Sequence, residues 1–137
     1  MATAGYSGTP LLKKLGITSA MRVLVLNAPE VYFQLLQTDI GKQFITGKQV
    51  PDFIHLFAKD NLSFEKGMKI ILPLCKQNSS MITWVSWYKK SSGIKTDITE
   101  DTIRNFALQH ELVDVKVCAV SEEWSGLKLV VPLAKRK

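Results

Sequence analysis

Two stretches of the chain concentrate side chains able to hold a ligand: Trp87-Tyr88-Lys89-Lys90 and Glu122-Glu123-Trp124-Ser125. An indole offers a flat face to a planar group, and adjacent ammonium groups attract negative charge. Asn27, at the end of an apolar run, adds a neutral hydrogen-bonding group. Asn27, Trp87, Lys89, Lys90, Trp124 and Ser125 are therefore the candidate ligand-binding residues, and the ligand they suit is small and anionic or nucleotide-like. Their plainer reading is tryptophans packed as core or lid and lysines left in solvent. Catalytic sets do not assemble. His55 lies in the middle of the apolar run DFIHLFA and reads as a hydrogen-bonded core histidine. His110 ends a helical stretch, so no Ser/His/Asp or Cys/His arrangement is expected. Glu122 and Glu123 are neighbours whose side chains diverge, unlike a paired acid and base. Cys75 and Cys118 each sit inside an apolar pattern as small buried thiols. With no CxxC or Cys/His cluster, no metal site is expected.

Positioning those residues requires a sheet. Residues 21–26 carry the unbroken apolar run Val23 to Leu26, the pattern of a strand buried on both faces. It breaks at Asn27-Ala28-Pro29 and becomes helical, with Val31 and Tyr32 followed by Leu35 and Leu36. Pro29 suits the first helical position, with Asn27 or Ala28 as cap. Upstream, Thr9-Pro10 opens a short helix that Gly16 ends. Residues 44–46 read as a short edge stub or coil, because a parallel crossover needs about a dozen residues and only Gly47 to Pro51 separate them from the strand at 52–58.

Phe64, Met68, Ile71, Leu72 and Cys75 then recur at helical spacing over 62–76, with Asp60 or Ser63 as cap and a kink or end expected near Pro73. A third strand covers 81–87. A helix starts at Thr99, acidic in its first turn, with Ile98 and Ile103 placed as a hydrophobic staple. Val113 to Val120 alternates like a half-exposed strand near an edge. Ser121 to Gly126 turns the chain, and 127–131 returns as its antiparallel partner.

Length bounds the rest. The 137 residues suit a single domain (1–137), flexible over 1–8 and closing in a basic tail at 132–137. With 46% hydrophobic and 22% charged residues, long disorder is not expected. No run approaches the ~18 apolar residues of a membrane span. The N-terminus lacks a secretory pattern, so a cytoplasmic location is expected. Net charge is +6, partly from Lys135-Arg136-Lys137. A solvated tail accounts for this most simply, and weak attraction to nucleic acid is the alternative.

Strand-helix alternation closed by an antiparallel hairpin resembles the order of class I methyltransferases. More narrowly, the chain is similar to a small bacterial family of uncharacterised domains. The segments that carry the resemblance are Gly5 to Leu11 (GYSGTPL), Asn27 to Glu30 (NAPE), Trp84 to Trp87 with Lys89-Lys90, Thr96-Asp97, Val113 to Val120 and Trp124 to Lys128. The chain departs from the family at Tyr88, where the family has proline, and over Gly41 to Val50. The resemblance implies a three-layer α/β fold: a Rossmann-like sheet, mostly parallel, ending in an antiparallel hairpin. It implies no activity. The cofactor features of methyltransferases are absent, since Asn27-Ala28-Pro29 contains no glycine and Thr46-Gly47-Lys48 stands where an acid would hold a ribose.

The expectation is thus a non-catalytic binding module of degenerate methyltransferase-like fold, with neither S-adenosylmethionine nor NAD as cofactor. A protein- or nucleic-acid-interaction domain and a small transferase are the alternatives. The partner expected is a small anionic ligand. No membrane partner is expected, and an exposed edge at 113–120 would allow pairing between copies.

Overall fold

A computed structural model describes residues 10–36, 40–45 and 49–136. The expectations for the N-terminal segment 1–8 and for Thr46-Gly47-Lys48 lie outside the described residues. Helix α1 (Leu11–Leu15) leads to β1 (Val23–Leu26), α2 (Tyr32–Leu36), β2 (Phe53–Phe57), α3 (Asn61–Gln77), β3 (Ile82–Tyr88), α4 (Glu100–Gln109), β4 (Val113–Ala119) and β5 (Trp124–Val130). The five strands form one sheet in the order β1-β2-β3-β5-β4. The first three are parallel, and β5 runs antiparallel between β3 and β4. This is the three-layer, Rossmann-like α/β sheet expected, closed by an antiparallel hairpin.

The side-chain period of two separates the layers. On one face Ile54, Leu56, Val85 and Leu127 meet Phe64, Met68 and Ile71 of α3 and Ile103 and Ala107 of α4. On the other, Phe53, Phe57, Trp84 and Trp124 meet Leu11 and Leu15 of α1 and Tyr32 and Leu36 of α2. Trp84 pins α1 by donating its indole N–H to the Leu15 carbonyl at 2.9 Å.

Where the chain goes after β1 fixes the topology. The Arg22 carbonyl accepts from Phe53 of β2, so the next carbonyl along the strand, that of Val23, points to the opposite side, where it accepts from Ile45 at 2.9 Å. Phe44 makes a single parallel bridge to Val23 there, so residues 44–45 are an edge stub. The chain therefore leaves β1 on one side and returns on the other. The junction of β1 and β2 is a topological switch point.

Three local expectations are corrected. Pro29 is not in α2, which begins at Tyr32. Asn27 takes a left-handed φ of 60° instead of capping, and the Pro29 carbonyl accepts the Tyr32 N–H. Of the kink or end expected near Pro73, the end is overturned, since α3 runs on to Gln77. Both Pro73 and Lys69, whose carbonyl loses its helical partner, are exposed, so water can replace the missing bond. Finally, β5 starts at Trp124, three residues earlier than expected. The Ser121 hydroxyl accepts from the backbone N–H groups of Glu123 and Trp124, both at 3.2 Å, closing the turn within Ser121–Glu123. Gly126 consequently lies inside a strand. A Cβ there would stand 3.0 Å from Val120 and 3.1 Å from the Trp84 ring, so packing, not turning, demands the glycine.

At β4 the expected exposed edge is present, with Val115 and Val117 in solvent. A register shift between Asp114 and Lys116 interrupts its alternation. Such a bulge is a common guard against edge-to-edge pairing.

Candidate functional site

The carboxyl ends of β1, β2 and β3 open on one rim, and the turn between β4 and β5 joins them because Trp124 pairs with Tyr88. The Lys89 N–H donates to the Glu123 carbonyl at 2.9 Å, tying the two loops together. A pocket of about 540 Å³ opens at this end. Its walls come from the last residues of β3 (Trp87, Tyr88), the loop after it (Lys89, Lys90, Ile94 to Thr96), and the start of α4 (Thr99 to Asp101).

Among the candidates named from sequence, Trp87, Lys89 and Lys90 converge here, joined by Lys95. Trp87 is 7% exposed and packs with Ile98 in the core, so it forms a wall and not a free stacking face. Trp124 lies elsewhere. Alternation puts it on the opposite face of the sheet, 2% exposed, stacked on Tyr88 at 4.2 Å and edge-on to Phe57 at 5.0 Å. That is core packing. Ser125 pairs with Trp87 in register and is half-buried outside the pocket lining. Asn27 is exposed at the end of β1, with β2 between it and β3.

The charge balance of the pocket is uneven. Glu100 and Asp101 are its acids, and both are engaged by Arg104, which reaches Asp101 at 2.9 Å, Asp114 of β4 at 3.1 Å, and Glu100 one turn back. Hydrogen bonding to Glu100 first, then to Asp114, holds the Arg104 guanidinium above its ordinary value. Among the described residues no carboxylate forms an ion pair with Lys89, Lys90 or Lys95. Thr99 caps α4 through a reciprocal pair with Thr102, so local chemistry fixes the helix start on the pocket wall.

At the switch point itself the chain supplies its own anion. The Asp97 carboxylate accepts the Asn61 N–H at 2.7 Å, and Asp60 accepts both the N–H and the hydroxyl of Ser63 at 2.8 Å. The backbone N–H of Ser63 holds the Asp60 carboxyl below its ordinary value. Thr96 donates to the Lys59 carbonyl at 2.8 Å, fastening the 96–97 loop over the start of α3.

His55 is the hydrogen-bonded core histidine expected, and the register sets it beside Ser86. The imidazole lies 2.7 Å from the Ser86 hydroxyl through Nε2 and 3.1 Å from the Tyr32 phenol through Nδ1, and it stacks on Phe57 at 4.2 Å. A neutral imidazole donates from one nitrogen and accepts at the other, so both nitrogens are satisfied in either tautomer. Burial pulls His55 down to about 3 and pushes the Tyr32 phenol up. All three residues are 0% exposed, so no substrate carbonyl reaches Ser86. This is a sealed polar link between α2 and the sheet. Its sequence signal was the presence of His55 and Ser86 as polar positions inside apolar strands of matching parity.

Among the described residues no helix is long and apolar enough to cross a membrane, and no group of three metal-ligating side chains converges.

No family model matches the chain, and no curated protein matches it. Solved structures do. An uncharacterised protein from Listeria monocytogenes serotype 4b superposes with a TM-score of 0.53 at 12% identity, over 94% of this chain and 70% of that one. A protein in the NADB-Rossmann superfamily from Streptococcus agalactiae matches over 93% of this chain and 70% of that one, at 8% identity and a TM-score of 0.47. The Listeria protein supports the α/β fold.

Proposed function

We propose that the domain is a non-catalytic binding module for a small anionic ligand, held in the pocket at the carboxyl end of β3. The observation that carries this reading is the meeting of Lys89, Lys90 and Lys95 on one pocket whose two acids are already committed to Arg104. An anion there gains three ammonium partners without first breaking an ion pair. The setting favours a compact anion over an adenine-bearing one, because Trp87 is 7% exposed and Trp124 is buried on the other face. Two features support the absence of an S-adenosylmethionine or NAD site at the turn after β1. Helix α2 begins only at Tyr32, beyond the turn, and Pro29 removes a donor from its approach.

Calorimetric titration with inorganic pyrophosphate at low ionic strength tests the proposal. Wild type is expected to bind, and Lys89→Ala with Lys90→Ala to abolish the heat without lowering the melting temperature appreciably. Unchanged binding in that variant would remove the pocket as the site. A gel shift with duplex DNA, steep in salt, would instead favour a nucleic-acid surface.

A further inference from the structure

We propose that Arg104 sets the anion preference of this pocket by engaging both acids of the first turn of α4, so that neither pairs with the pocket's lysines. This inference rests on the anion-binding reading above. Arg104 is absent from the pocket lining, whereas Glu100 and Asp101 belong to it. One turn of helix brings the guanidinium back over both carboxylates, at i,i+4 and i,i+3. Its third contact, Nε to Asp114 Oδ2 at 3.1 Å, anchors the fork to β4. Three donors of a planar group are thus used at once, an arrangement the single ammonium of lysine cannot reproduce. Were the fork lost, Glu100 and Asp101 would be free to turn toward Lys95 and Lys90 and neutralise the ammonium groups an incoming anion needs. Arg104 is in this sense a positioning residue.

The test is pyrophosphate titration of the whole chain in four forms: wild type, Arg104→Lys, Arg104→Gln, and Arg104→Gln combined with Glu100→Gln and Asp101→Asn. Circular dichroism confirms that each is folded. Arg104→Gln should weaken binding roughly tenfold, and Arg104→Lys roughly threefold even though the charge is retained. Neutralising the two acids should return affinity to within about twofold of wild type. Arg104→Lys is the milder change and keeps the test decisive if Arg104→Gln does not fold. Wild-type affinity in Arg104→Lys would mean that net charge alone matters and would overturn the proposal. Loss of affinity that the double neutralisation does not restore would overturn it as well. Absence of binding in wild type would remove the underlying site, an outcome distinct from either failure in the variants.

Discussion

His55 makes the stability of this domain dependent on pH over a range where few other groups titrate. In the folded chain the imidazole is sealed between Tyr32, Ser86 and Phe57 and stays neutral down to about pH 3. Unfolded, it titrates near the ordinary value of ~6.5. Because the folded value is depressed, the unfolded chain takes up a proton first as the pH drops. The stabilisation is fully present above pH ~6.5 and is lost as pH falls from there towards the folded value, at a limiting slope of about 1.4 kcal/mol per unit. Between pH 7.5 and 5 the loss should reach about 2 kcal/mol, a large share of a small domain's total.

Urea unfolding followed by circular dichroism at half-unit steps of pH measures this directly. The control is His55→Gln, which keeps neutral hydrogen-bonding groups but does not titrate. Whatever its stability at pH 8, its curve should fall less than that of the wild type, by about 2 kcal/mol between pH 7.5 and 5. The difference between the two curves isolates the His55 imidazole, because His110 is present in both forms. Asp60, held low by the Ser63 N–H, and Asp52, held low by the Arg22 N–H, contribute their slopes only at more acid pH. Parallel falls in wild type and His55→Gln between pH 7 and 5 would refute the reasoning, since some other group would then be taking up the proton.

Trp124→Ala should cost about 3–5 kcal/mol in urea unfolding, the range for emptying a buried aromatic site, because its indole fills the space between Phe57 and Tyr88. Gly126→Ala should cost roughly 1–3 kcal/mol by the same measurement: the new methyl meets the Trp84 ring, which its bond to Leu15 prevents from yielding. Asp97→Ala should lower stability by about 0.5–2 kcal/mol through the lost Asn61 bond. Sulfate should then raise its melting temperature more than it raises that of the wild type.

Much of the fold was legible because its signals are local. The apolar run at Val23 to Leu26, the helical spacing from Phe64 to Cys75, and the Thr99 cap each specify an element from a few adjacent residues. The misplaced boundaries have non-local causes. Gly126 looks like a turn residue until Trp84, distant in sequence, is known to occupy the volume of its missing side chain. Pro73 ends a helix in isolation and is tolerated here because it and Lys69 both face water. The site was legible to the same extent. Lys89 and Lys90 are placed by being adjacent to a strand. Which face of β5 carries Trp124, by contrast, depends on where the strand starts, and a shift of one residue moves a side chain to the other side of the sheet. Lys95 and the masking of Glu100 and Asp101 required knowing that the start of α4 lies against the end of β3.

The position of the proposed anion pocket follows from how the switch point is filled. In an open α/β sheet the crevice at the reversal of strand order is the default ligand address, and here that crevice lies at the ends of β1 and β2. Each of its usual donors is compromised. After β1 the chain takes a left-handed turn at Asn27 and passes Pro29, and α2 begins only at Tyr32, away from the end of the strand. After β2 the long helix α3 has a strong N-terminus, but Asp60 and Asp97 already accept from its first turn, and Thr96 fastens the loop that brings Asp97 there. A free anion would have to displace a tethered carboxylate, whose effective concentration is set by the fold. One strand further along, the same 94–99 loop presents its other side, where Lys95 joins Lys89 and Lys90 and the local acids are held by Arg104. The loop that brings Asp97 to the switch point is thus also a wall of the pocket at the end of β3.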